Sequence, residues 1–156
     1  MTETFVSTDI LSTFVNLLED ADHGIGTFDG RAVTIHGFRE LKPIALPAVS
    51  LFWVSFNFEG EIVTGVVVLS CVVSHTDVSI GQYNALRLAE TARQKVLSLS
   101  DRFEDSGVYN IQPFSIENKE SALFDVQELS GSRMAKNPLL HYAELFCEVR
   151  AIQHLV

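Results

Sequence analysis

The chain has 156 residues, 47% of them hydrophobic and 20% charged, a length and balance that suit one folded domain with a real core and exclude a disordered polymer. Its 20 acidic and 11 basic residues leave a formal net charge of −9, which excludes a protein that coats DNA through Lys and Arg contacts to phosphate. The same charge is compatible with a surface that DNA slides past, because a negative wall repels phosphates.

The first predicted element is a helix over 8–22. Ile10, Leu11, Phe14, Val15, Leu17 and Leu18 recur at helical spacing, and Ser7, Thr8 or Asp9 can cap the first turn. HGIG ends it, since Gly24 and Gly26 tolerate positive φ. The glycine-rich GIGTFDG (24–30) follows a helix and precedes a strand, the reverse of a phosphate-cradling loop, and reads as a turn connector. RAVTIHGF (31–38) reads as a short strand with Val33 and Ile35 on one face. Pro43 and Pro47 then make LKPIALPAVS an extended edge or connector.

LFWVSFNF (51–58) is the strongest strand signal. Strict alternation places Phe52, Val54, Phe56 and Phe58 on one side and Leu51, Trp53, Ser55 and Asn57 on the other. EGE (59–61) is a polar hairpin tip, and IVTGVVVLSCVV (62–73), apolar on both faces, belongs at the centre of a sheet. Ser79 and Gln82 have capping-box spacing, so a helix is expected from about Ile80 to Ser100. Tyr83, Leu86, Ala89, Ala92, Val96 and Leu99 form its buried stripe, and Gly81 weakens its first turn. DRFEDSG reads as an acidic loop. VYNIQPF (108–114) reads as a strand stopped by Pro113, and SALFDVQEL (121–129) as another. In the last strand Ala143, Leu145, Cys147, Val149 and Ala151 alternate with Glu144, Phe146, Glu148 and Arg150. The expectation is a single α+β domain over 1–156, a mainly antiparallel sheet with two helices packed on one face.

Eleven Phe, against three Tyr and one Trp, suggest a core or an interface filled by large apolar rings. Cys71 and Cys147 sit inside strands without a CxxC pair and read as reduced and buried. The start, MTETFVSTDI, lacks the basic residues and apolar run of a signal peptide, and Ile62 to Val73 is too short to span a bilayer. The expectation is a chain made in the cytoplasm with no membrane segment.

Candidate chemistry is sparse. Among His23, His36, His75, His141 and His154 no two lie three to five residues apart, so helix-borne metal spacing is missing and they read as surface or strand-end histidines. Glu144 and Glu148, four residues apart on a strand, lie ~13 Å apart, too far for a paired acid and base. Neither a cofactor nor a catalytic residue is expected. The loop SGSRMAKNP carries Arg133 and Lys136 around Met134. Arg and Met are favoured at contact surfaces, and a positive loop on an acidic chain can dock into an identical neighbour.

The succession of an amphipathic helix, a proline-containing stretch, paired apolar strands, the helix YNALRLAETARQKVL (83–97) and the closing strand HYAELFCEVRAI (141–152) resembles the tail terminator, or tail completion, proteins of long-tailed bacteriophages. The similarity is one of pattern over roughly residues 8–152. It implies a structural protein of the virion tail, assembled in the host cytoplasm. Such a protein forms a ring, usually a hexamer, on the head-proximal end of the tail tube. It stops tube polymerisation and joins the tail to the head completion or connector protein while DNA passes through the lumen. On that resemblance Arg133, Met134 and Lys136, with Glu59 and Glu61 at the hairpin tip, are the candidate contacts to a neighbouring subunit or the tube. The competing expectations are a small-molecule-binding or hydrolytic α+β domain, with an apolar pocket along the Phe-rich strand and His75, Asp77 or His141 at its mouth, or another phage neck or tube subunit.

Overall fold

Period-two alternation in the long strands builds the sheet on which the remaining elements pack. A computed structural model describes residues 6–37, 45–123 and 139–152. Its elements are α1 (Val6–Glu19), β1 (Thr27–Phe28), β2 (Arg31–Ala32), β3 (Thr34–His36), β4 (Ala48–Glu59), β5 (Ile62–His75), α2 (Val78–Ser98), α3 (Ser100–Asp105), β6 (Asn110–Leu123) and β7 (Leu139–Ile152). The five-stranded sheet has the order β3-β4-β5-β7-β6. Every pairing in it is antiparallel except the short β3–β4 ladder, and β1 and β2 form a separate hairpin. This is an α+β fold.

The doubly apolar β5 is central, as its composition requires. One face carries Val49, Leu51, Val63, Val67, Leu69, Cys71, Val73 and the five alternating residues of β7 from Ala143 to Ala151. The helices close over this face to form one core. The small residues of α2 explain its close approach: Gly81, Ala85, Ala89 and Ala92 are buried beside Leu88 and Val96. Its stripe is turned at the start relative to expectation, for Tyr83 is 63% exposed while Ala85 and Leu88 are fully buried. The cap is Asp77, whose Oδ1 accepts from the Ile80 N–H at 2.9 Å, rather than Ser79.

Several boundaries move for physical reasons. α1 stops at Glu19, and the chain turns back tightly enough for the Gly24 N–H to donate to the Asp20 carbonyl at 2.8 Å and the Ile25 N–H to the Leu18 carbonyl at 2.9 Å. A Cβ on Gly24 would collide with the Leu18 carbonyl, so that glycine serves close approach and not positive φ. GIGTFDG is indeed a turn connector. Asp29 (φ 51°) and Gly30 (φ 80°) form the two-residue turn between β1 and β2, with both central residues in the left-handed region. The expected strand 31–38 is divided between β2 and β3, with Ile35 buried and Val33 partly so.

The acidic DRFEDSG contains a helix, α3, anchored by Phe103, whose fully buried ring lies 4.7 Å from that of Phe14. Pro113 does not stop a strand: β6 runs through it to Leu123. β6 is an edge strand, where a missing N–H costs least, and the ladder slips one residue just after the proline. Residues 124–129 of the expected second strand lie outside the described residues.

Candidate functional site

The largest departure from simple alternation lies in the Phe-rich strand. β4 and β5 pair in register from Ala48↔Val72 to Trp53↔Val67, then slip at Val54 to Ser55↔Val66 and Phe56↔Gly65. A bulge of this kind inverts the alternation beyond it. Trp53, Phe56 and Phe58 therefore share the helix-side face of the sheet, and Phe52 alone is left on the other. This corrects the expected grouping of Phe52, Val54, Phe56 and Phe58. The three rings form a chain, Trp53 to Phe56 at 5.2 Å and Phe56 to Phe58 at 5.5 Å between centroids. Gly65 makes room for it, since a Cβ there would meet the Ser55 carbonyl and the Phe56 side chain.

Trp53 packs against the core, but Phe56 and Phe58 stand outside it. Phe58 is 59% exposed and Val54, in the bulge, 56%. The register Glu59↔Ile62↔Ile152 brings exposed Ile62 and Ile152 side by side, and exposed Tyr109 precedes Asn110, which pairs with Arg150 at the same end. Among the described residues most exposed large apolar side chains off α2 thus gather at one end of the sheet. Glu59 and Glu61 crown it, both exposed, across the turn in which Gly60 (φ 62°) takes the left-handed position. The structure joins these two candidate residues to an apolar surface that strict alternation concealed. Arg133, Met134 and Lys136 lie outside the described residues.

The face of the sheet opposite the core holds a second feature missed in the sequence. The registers His36↔Ser50, Ser50↔Ser70, Ser70↔Glu144 and Glu144↔Glu117 set five polar residues in one row across all five strands. Apolar rows flank it, Ala48–Val72–Tyr142 on one side and Phe52–Val68–Phe146 on the other. Ser50, Ser70 and Glu144 are buried, and the Ser50 hydroxyl has no hydrogen-bond partner among the described residues. The sequence signal was there in isolated polar residues inside apolar strands, but only the register aligns them. The carboxylate opposite Glu144 is Glu117, not Glu148.

The histidines divide by environment. His23 is exposed, and His154 lies outside the described residues. His141, expected at the surface or at a strand end, sits near the start of β7 and is fully buried beneath the first turn of α2, its Nε2 3.0 Å from the His75 carbonyl. Gly81 is the helix residue above it. A Cβ there would enter the imidazole, so the glycine that weakens the helix turn is what admits the ring. Among the described residues no three His, Cys, Asp or Glu side chains group as metal ligands. The thiols are inert for a clear reason. Burial, reinforced by Cys147 and Glu144, pushes the Cys71 thiol far above its ordinary range, and burial pushes Cys147 from 9.0 up to about 12. Both stay protonated near neutral pH and should resist a disulfide reagent until the chain unfolds.

A cavity of about 270 Å³ opens at the far end of β5 from the hairpin tip, between the β1–β2 turn, Pro47 and the start of α2. His75 lines it, but the Phe-rich strand, along which a pocket was expected, does not. Asp77 is committed to the helix cap and His141 to the core. Among the described residues no helix is long and apolar enough to cross a membrane. In comparisons with known proteins the chain matches no family model and no curated relative.

Proposed function

We propose that this protein is a structural assembly subunit of the tail terminator type, which acts as a closed ring of identical chains on the head-proximal end of a phage tail tube. The observation that carries the reading is the set of exposed apolar side chains at the hairpin end of the sheet, Phe56 and Phe58 on the helix side and Ile62 and Ile152 on the opposite face, with Val54 in the bulge. Exposed apolar side chains gathered at one end of a sheet mark a site of protein contact. A neighbour covering it gains roughly 25 cal/mol per Å² of apolar area removed from water, reduced by the cost of association.

Termination then needs no chemistry. One face of the ring binds the growing tube end, and the other lacks the surface that would accept a further tube subunit. Contacts between identical chains that are not self-complementary close into rings when the rotation allows. Glu59 and Glu61 sit beside the apolar surface and supply negative charge, which suits a lumen through which DNA slides to or from the head connector. The basic loop with Arg133, Met134 and Lys136 is assigned to a neighbouring subunit or the tube on sequence grounds.

Incubation of the purified chain with tail tubes, followed by electron microscopy, tests the proposal. Density confined to one end of each tube, with tube length frozen on further addition of tube protein, is the expected result. Tubes that keep growing, with no chain at either end, contradict it.

A further inference from the structure

We infer that the cavity beside the β1–β2 turn is a binding site for a small organic monocarboxylate. This goes beyond the assembly reading and does not depend on it. The argument starts from charge. Among the described residues Arg31, on the cavity wall, makes no ion pair or hydrogen bond through its side chain. The acidic side chain on the same wall, Asp29, is already neutralised, since Arg87 reaches both of its carboxylate oxygens at 3.3 and 3.4 Å. Arg87 is held in place over the Phe28 ring, 5.0 Å from its centroid.

The polar donors agree in sign. The Asp77 N–H donates to His75 Nδ1 at 2.8 Å, so the neutral ring carries its proton on Nε2. His75 is therefore a donor on the wall, beside the Asn84 side chain. The remaining wall is mostly apolar, with Phe28, Leu46, Pro47 and Val73 beside Ser74. An anion with an apolar body satisfies both halves, and a guanidinium with free N–H groups takes a carboxylate in two parallel hydrogen bonds. A single guanidinium in a chain of net charge −9 matches one negative charge and leaves a dianion under-neutralised. The volume, about 270 Å³, lies just under the range of drug-sized pockets and so fits a metabolite-sized body.

Calorimetric titration of the whole chain tests this with benzoate as probe, benzamide as its neutral counterpart and inorganic phosphate as the dianion. The expected result is saturable benzoate binding that exceeds both others. Arg31→Gln should weaken it about tenfold or more, by removing the charge-assisted contact to the carboxylate, while Arg93→Gln, on the exposed side of α2, leaves it unchanged. Arg31 is exposed, so equal melting temperatures should accompany the loss. Three results each overturn the inference: no saturable benzoate binding, benzamide or phosphate binding as well as benzoate, or full affinity in Arg31→Gln. A capped peptide with a free C-terminal carboxylate binding more tightly than benzoate would also overturn it, by making the occupant a chain terminus.

Discussion

The middle of the sheet and its hairpin end use the same strands and the same face to opposite ends. In the middle, Val67, Leu69 and Leu145 lie beneath α2, and Phe14 meets Phe103 in a region where both rings are wholly buried. Toward the tip the face continues through Trp53, Phe56 and Phe58, and the cover stops after the first of them. Large rings in the first region stabilise the chain. Equally large rings in the second contribute little to the isolated chain, and on the assembly proposal they are where a neighbour docks. Ring content alone therefore does not separate core from exposed surface; the point where the helices end does.

Substitutions can break this contrast, beginning with the largest effect. Phe14→Ala should cost about 3–5 kcal/mol in urea unfolding, because it opens a cavity in a closed core against Phe103. Gly81→Ala should cost about 1–3 kcal/mol by driving a methyl into the His141 ring. Much of that loss should return in the Gly81→Ala, His141→Ala pair, measured as coupling in a double-mutant cycle. Removing the helix cap with Asp77→Ala should cost about 1 kcal/mol in thermal or urea unfolding. Phe58→Ser should change the stability of the isolated chain by no more than about 0.5 kcal/mol, since its ring is already largely in water. A large destabilisation by Phe58→Ser would erase the distinction between the two regions.

Much of the fold is legible in the order of the amino acids, because the strands carry their own period. The alternating β7 and the doubly apolar β5 show in the identities of Ala143 to Ala151 and Ile62 to Val73, and the role of each follows from how many faces it buries. The features that sequence reasoning misses are local and non-periodic. A bulge at Val54 adds one residue and leaves no mark in composition, yet it moves Phe56 and Phe58 to the other face. Phe103 anchors a short helix in an acidic segment through the core, where its ring meets that of Phe14 from the chain's first helix. The polar row from His36 to Glu117 depends on register between strands that are distant in sequence. His141 reads as a strand-end histidine because the glycine that admits it lies on another element. Of the candidate contact residues, Glu59 and Glu61 are evident from their turn, whereas the apolar surface beside them needs the bulge.

The most direct measurement is light scattering across a concentration series on the native chain and on the Phe56→Ser, Phe58→Ser pair. The account predicts a discrete ring-sized species for the native chain, and for the variant a monomer that still unfolds in one cooperative transition. A native chain that stays monomeric at every concentration, or a variant that assembles as well as the native chain, would contradict it.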